Sequence, residues 1–394
     1  MVLQASMTDE AADARRLKRA EVARREHSFA ARLHRWIGMT IGLILAISGI
    51  TGSYLAFYPE VERAAFAPLR QSAGAQPASY EAVFQAFYAA GSPERGRWNI
   101  ELPPEGGVIT ARYSERPNPN RMVSLDPVSL TVVRDVNWGS TFSTWVYELH
   151  YRLLLGRSGS SVMGAISVAT MILVVAGPVL WWRSGRTARS RLKYNRTGTG
   201  ERKLYDFHRL LGLGSAGLLL VTVTTAAAMT LPDLVRPVLT AFSPMEEMPD
   251  PVSGEANGRP RISVDNAIET VRKSFPKADV RWVQVPGPGT DPYTVRIWQP
   301  GEPSFRFPKS YVWIDQYDGR ILDVHHGPQG TATDRILDWL YPLHSGQAFG
   351  TGGRLVIALL GLVPAILFVS GLIRWRRKSG RLRAAARRTA HKSL

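Results

Sequence analysis

Four stretches of this chain, roughly residues 36–58, 162–182, 210–231 and 355–375, are almost wholly apolar. Each has about the 20 residues a helix needs to cross a bilayer's ~30 Å hydrocarbon core. Runs this long and this free of charge are poor candidates for buried helices of a soluble core, and they constrain everything else. A mean hydropathy of −0.10 conceals them, because it averages them with polar segments between.

Lysine and arginine set the expected orientation. Residues 1–35 hold eight of them against five acids, 183–209 nine against two, and 374–394 nine against none. The two longer segments, 59–149 and 232–343, hold eight against ten and twelve against fifteen. Basic residues collect on the cytoplasmic side, so both termini and the middle loop are expected inside and the two longer segments outside. The formal charge of +17 then serves orientation and contact with the lipid bilayer, with no nucleic acid as partner. A signal peptide over residues 1–57 is not expected, since the basic leader is too long and no A-x-A site follows.

The chain reads as a tandem repeat. "LHRWIG" (33–38) matches "FHRLLG" (207–212), and "LHYRLLLG" (149–156) matches "LHSGQAFG" (343–350), both L-H-x5-G. "GPVLWWR" (177–183) matches "GLIRWRR" (371–377). The outer segments end alike, in "SLDPVSLTVV" (124–133) and "WIDQYDGRIL" (313–322), each a strand, a turn with Asp126 or Asp315, and a strand. Two parallel repeats in a membrane imply a pseudo-two-fold axis along its normal. In the second outer segment, "SVDNAIETVRKSF" (263–275) has helical spacing behind a Ser263 cap. "DVRWVQVP", "YTVRIWQ", "SYVWIDQ" and "RILDVHH" follow as strands. The first segment has the same order, with "SYEAVFQAFYAA" as helix, then "WNIELP", "GVITARYS", "RMVSLDP" and "TVVRDV".

The expected fold is thus a membrane protein with four transmembrane α-helices built as a tandem repeat and two α/β periplasmic domains. Its divisions are a cytoplasmic N-terminus (1–33), helix 1 (34–58), a first periplasmic domain (59–140) and helix 2 with a periplasmic extension (141–183). A cytoplasmic loop (184–207), helix 3 (208–231), a second periplasmic domain (232–335), helix 4 with its extension (336–377) and a basic tail (378–394) complete it.

Histidine carries the chemistry. His34, His150, His208 and His344 each stand before an apolar run. Because the chain alternates direction, His34 and His208 fall at the cytoplasmic face and His150 and His344 at the periplasmic one. Each face then has one repeat-related pair, and two imidazoles on opposite sides of a porphyrin are what a six-coordinate haem iron takes. Ionisable groups at membrane depth are functional candidates by default. Two ligands per face fall short of the three or four that zinc takes. Gly38 and Gly212 lie at i+4 from their histidines, on the same helix face, where they leave room for a flat macrocycle or for close helix packing. The absence of cysteine excludes an iron–sulfur cluster on thiolates and covalent haem attachment. Two noncovalent, bis-His haems are therefore expected. Arg35 and Arg209, next to the inner histidines, are candidate partners for haem propionates.

The other candidates are weaker. His325 and His326 follow an outer strand and are candidate substrate contacts, although a solvent-facing strand end explains them as well. His27 and His391 lie in basic tails. Met39, Met163 and Met229 read as packing, and Trp181, Trp182 and Trp375 as interface anchors. No nucleophile motif, metal finger, phosphate loop or dinucleotide fingerprint occurs.

These features together resemble the PepSY-associated transmembrane family, and within it the inner-membrane reductases of ferric siderophores. The resemblance spans about residues 28–378 and rests on "LHRWIG", "FHRLLG", "YPLHSGQAFG" and "YVWIDQYDGRIL". One departure is Pro178 in "GPVLWW", where relatives usually have Thr-Gly. The resemblance implies PepSY-like periplasmic domains, b-type haem and a bacterial inner-membrane location. It also implies an oxidoreductase, a ferric-siderophore or ferric-chelate reductase that takes electrons from an unidentified cytoplasmic or quinol donor. Electrons would enter at His34 and His208, pass to His150 and His344, and reduce Fe(III) to Fe(II) in a periplasmic ferric siderophore, which then releases the iron. Trp298, Tyr311 and Trp313 are candidates to line a cleft for the chelate, with core packing as the plainer explanation. Two other readings compete: a cofactor-free, membrane-anchored protein that binds a peptidase or cell-wall partner, and a chelate permease. The first predicts replaceable histidines, and the second finds no acidic residue inside a membrane run.

Overall fold

The computed structural model describes residues 29–90, 97–103, 105–114, 121–182, 192–287 and 289–392. His27 lies outside them, as does most of the expected N-terminal segment. The chain divides into two compact units. One collects Met1–Ser53, Ser161–Ala227 and Ala358–Leu394, and the other Tyr54–Ser160 and Ala228–Ile357.

The first unit is helical. The first apolar run is not one straight helix: α1 (Phe29–Thr40) and α2 (Gly42–Leu55) meet at a 59° bend. Just before the bend the Thr40 hydroxyl donates to the Trp36 and Ile37 carbonyls (2.9 and 3.3 Å), and the Ile41 amide keeps its bond to the Ile37 carbonyl (3.0 Å). The other spans are α7 (Gly156–Trp182), α8 (Gly200–Thr230) and α12 (Gly350–Lys392). Among the described residues, three helices are long and apolar enough to cross a membrane, and four if the bent pair is one span. Helix α8 begins two turns before the expected 208, because Glu201, Arg202 and Lys203 are good helix formers that hydropathy does not register. Helices α2 and α12 touch at Gly49 and Gly361, where any Cβ would strike the opposing backbone. There the Ser53 hydroxyl donates to the Ala358 carbonyl (2.6 Å). Small residues and a short polar bond are the usual means of joining helices where apolar contact with lipid is no worse than contact with protein.

The second unit is built on one sheet. Helices α3 (Tyr58–Ala65) and α4 (Ala67–Gln71) lead to α5 (Tyr80–Ala90). Strands β1 (Arg97–Glu101), β2 (Ile109–Ser114), β3 (Arg121–Leu125) and β4 (Val132–Asn137) follow, and then α6 (Phe142–Arg152). The later half repeats this order. After α9 (Pro232–Thr240) come α10 (Val264–Ser274) and strands β5 (Asp279–Val285), β6 (Tyr293–Trp298), β7 (Ser310–Ile314) and β8 (Ile321–His325), then α11 (Ala332–Ser345).

Two separate outer domains were expected, and here the structure differs. All eight strands form a single sheet in the order β4-β3-β2-β1-β5-β6-β7-β8, joined where β1 pairs antiparallel with β5 from Trp98↔Val285 to Glu101↔Trp282. Each four-stranded half alone would leave a row of unpaired backbone groups along β1 or β5. Pairing removes both edges at once. Alternating buried positions such as Tyr293, Val295 and Ile297 on β6 meet Val83 and Phe87 of α5 and Val264, Ile268 and Val271 of α10 in a common core.

The two helices on this sheet cap each other. Asp265, in the first turn of α10, accepts from the Tyr80 and Glu81 amides (2.8 and 2.9 Å) and the Ser79 hydroxyl (2.7 Å) at the start of α5. In return Glu81 accepts from the Val264 amide (2.8 Å) and pairs with Arg261 (2.8 Å). Each carboxylate thus serves the orphan amides of the other helix. Burial pushes the Asp265 carboxyl up, but the amide and hydroxyl donors outweigh it and hold it below the usual range. Its contribution is therefore complete above about pH 4 and fades as pH falls through the folded-state value. Asp265→Ala should cost about 1–2 kcal/mol and lower the thermal unfolding midpoint at pH 7, with the gap to wild type narrowing below pH 4.

Candidate functional site: two histidine pairs

The four histidines meet as two pairs. In the helical unit the His34 and His208 ring centres stand 6.5 Å apart with their planes at 84°. In the sheet unit those of His150 and His344 stand 6.2 Å apart at 55°. A ring nitrogen binds a first-row metal at about 2.0–2.1 Å and lies about 1.1 Å from its ring centre, so two imidazoles facing one ion have centres roughly 6.3 Å apart. Edge-to-face stacking spans the same range, so separation alone does not decide between the two.

Hydrogen bonding fixes the tautomer of the first pair. His34 Nδ1 lies 3.2 Å from the Leu173 carbonyl, which can only accept, so Nδ1 carries the proton. His208 Nδ1 lies 2.7 Å from the Ser370 hydroxyl. That hydroxyl gives its own proton to the Leu367 carbonyl (3.0 Å), so His208 Nδ1 is again the donor. In both rings Nε2 is left with its lone pair, the tautomer a metal ligand needs, fixed by an outer partner. Leu173 and Leu367 hold the same place in the repeat, each four residues before the glycine of "GPVLWWR" or "GLIRWRR".

Those glycines touch the rings. A Cβ at Gly177 would lie 3.7 Å from His34 Cε1, and one at Gly371 would lie 3.5 Å from His208 Cε1. The glycines singled out from sequence, Gly38 and Gly212, face Leu173 and Leu367 instead, at 3.7 and 3.8 Å. They bring α1 toward α7 and α8 toward α12, so the space beside each imidazole comes from the following helix.

For the second pair the positions come from helix ends. His150 sits in the last turn of α6 and His344 in the last turn of α11. The glycine of each L-H-x5-G motif starts the next long helix, Gly156 at φ +61° and Gly350 at φ +60°. Only glycine adopts that backbone without strain, so the motif is a turn that sets a histidine at the mouth of a span. Tyr147 and Tyr341 precede these histidines by three residues, on the same helix face. Burial pushes both phenols up from their ordinary value.

Other candidates fall elsewhere. Arg35 is exposed on α1. Arg209 is bound to the buried Asp206 (3.0 Å) and the Lys193 carbonyl (3.0 Å). Adjacent residues on a helix point about 100° apart, which turns both arginines off the imidazole face. The cation that acts electrostatically on both rings is Arg374, lying 4.6 Å over the Tyr205 ring. His325 is buried, 3.5 Å from Glu246. His326 bonds Gln299 (3.1 Å) and meets the Phe275 ring. Trp298 packs on Phe305, and Tyr311 stacks on the buried Trp313, so these aromatic residues pack against one another. Among the described residues no group of three or more His, Asp, Glu or Cys side chains gathers as a metal site.

A family model described as the PepSY-associated TM region matches residues 31–378, nearly the whole chain. The chain belongs to this family. As a PepSY-associated transmembrane protein it is a membrane protein whose apolar helices accompany an antiparallel sheet. The matched region contains all four paired histidines. Comparison with curated proteins finds no match.

Sequence reasoning missed Leu173, Gly177, Ser370, Gly371, Arg374 and the two tyrosines. Gly177 and Gly371 were within reach, since the aligned motifs superpose them. The Y-x-x-H spacing shared by "YELH" and "YPLH" marks Tyr147 and Tyr341. Ser370 and Arg374 break the repeat, facing Ala176 and Leu180 in the alignment, and only the fold reveals them.

Proposed function

We propose that this protein is a di-haem b reductase of the bacterial inner membrane, built as a tandem repeat with both termini cytoplasmic, that reduces ferric siderophore in the periplasm. The observation that carries the reading is the pairing of four repeat-related imidazoles at a separation suited to one iron ion between each two. The donor sets fit haem: two axial nitrogens at each site, no thiolate, and at the first pair a tautomer with Nε2 open. Haem held there would supply one-electron Fe(III)/Fe(II) chemistry.

The chain's own part is to hold and orient. His34 and His208 are fixed through Nδ1 by α7 and α12, and Gly177 and Gly371 leave the flank of each ring clear. Arg374 supplies a positive charge near that pair, suited to an anionic side chain such as a propionate. His150 and His344 are placed by the two glycine turns. The alternating chain direction, which is expected to assign one pair to each face, suits an electron that must pass hydrocarbon about 30 Å thick, with a cytoplasmic protein, flavin or quinol as the donor. Hard oxygen ligands of a siderophore hold Fe(III) far better than Fe(II), so one-electron reduction frees the metal and leaves the chelator intact.

Mixing dithionite-reduced, desalted protein with a ferric trihydroxamate in anaerobic buffer that holds a ferrous-specific dye tests this. Reoxidation of the protein with one ferrous ion trapped per electron is expected. Reduced protein that stays reduced against hydroxamate, catecholate and citrate chelates alike would refute the reductase.

A further inference from the structure

The sheet unit contains a cavity of about 200 Å³ whose wall includes Arg112, Arg121, Tyr147, Arg152 and Tyr341 and one carboxylate, Glu148, which accepts from Trp138 Nε1 (2.8 Å) and lies beside Arg152. It opens on the two helices that hold His150 and His344, one turn before each histidine. Arg112 lies on β2 with its guanidinium 4.7 Å from the Trp138 ring centre and 5.5 Å from that of Trp282. Two indole faces favour a cation but satisfy none of its N–H groups, and Arg112 Nε is buried with no hydrogen-bond partner among the described residues.

The other arginines of this region have carboxylate partners, although Arg152 Nε is, like Arg112 Nε, buried without a hydrogen bond among the described residues. Arg121 is bound to Asp135, and Arg152 lies 3.6 Å from Glu148. Arg306 holds Glu101 with two bonds, at 2.7 and 3.1 Å. Glu101 is the carboxylate that Arg112 also acts on, and Arg306 takes both of its oxygens. Arg112 is therefore a partly buried cation with donors to spare. Tyr341 accepts from Gln347 (3.2 Å), which leaves its own proton to give. Leaving such groups unmatched is destabilising, so a fold that gathers them beside an open space is shaped for an acceptor with negative charge.

We infer that this cavity is an oxyanion site in which Arg112 and the Tyr341 hydroxyl bind a carboxylate or similarly charged oxygen group. Sites for whole small molecules run to about 300–1,000 Å³, so the space takes a small carboxylate or one anionic arm of a larger molecule. Two sources share that chemistry: a soluble carboxylate, such as an acidic chelate presents, and the carboxylate of a prosthetic group held at His150 and His344.

Citrate is the probe, titrated into the full-length protein in detergent, with R112Q and R112K alongside. Citrate should bind the wild type, at least tenfold more weakly to R112Q, and to R112K at an intermediate level, with the effect reduced at high salt. If the carboxylate is the prosthetic group's own, citrate will not bind, and R112Q will lower haem content or shift a reduction midpoint while R112K restores it. Equal citrate binding to wild type and R112Q would overturn the proposal, as would no binding together with unchanged haem properties in R112Q. The citrate result is readable in a colourless protein, so this inference and the reductase can fail separately.

Discussion

Purified His208→Ala protein is expected to carry half the haem of the wild type, with the remaining absorption that of a single six-coordinate site. The pair His34–His208 is held within one helical unit, and each ring is fixed from behind by a hydrogen bond to a different helix. Removing one imidazole leaves one axial nitrogen, and among the described residues no third His, Asp, Glu or Cys joins the group. The second pair belongs to the other compact unit, so His150 and His344 should keep theirs. His344→Ala should show the reciprocal loss. Haem per chain, measured as the pyridine complex against protein concentration, reads both. Unchanged content in either variant would contradict the pairing.

A larger test of geometry leaves every proposed ligand in place. Gly371→Ala should be nearly silent, because its Cβ would meet His208 Cε1 at 3.5 Å, an ordinary contact. Gly371→Leu adds three more carbons on the same side. It must push the imidazole off the Ser370 hydroxyl or part α8 from α12. Loss of the first site, with the second intact and unfolding cooperative, is the expected result, and Gly177→Leu should repeat it through His34. The contrast between alanine and leucine matters because a general loss of helix packing would grade smoothly with size and would not spare one site. If Gly371→Leu binds as much haem as Gly371→Ala, the space beside the ring has no such role.

Much of this architecture was legible in the sequence, for identifiable reasons. Hydropathy locates the spans because lipid tolerates few charges, and the strands were readable because one face of each is buried, as on β6. The turns with Asp126 and Asp315 were readable because each aspartate accepts from amides two and three residues on, a local bond with a local signature. What sequence could not give was long-range. That β1 pairs with β5, merging two expected domains into one sheet, depends on edges some 180 residues apart finding each other. The bend between α1 and α2 has no proline to announce it. That Arg209 is bound to Asp206 and the Lys193 carbonyl while Arg35 is exposed was likewise hidden, because neighbours in sequence point to different faces of a helix. Arg374 and Arg112 were invisible because an arginine's significance lies in which carboxylates it lacks.

The most direct measurement is the absorption spectrum of the detergent-purified protein before and after dithionite. Two equivalents of low-spin, bis-histidine haem b per chain, reducible in full, are expected. A well-folded protein without a Soret band, after expression with ample haem, would contradict the central claim outright.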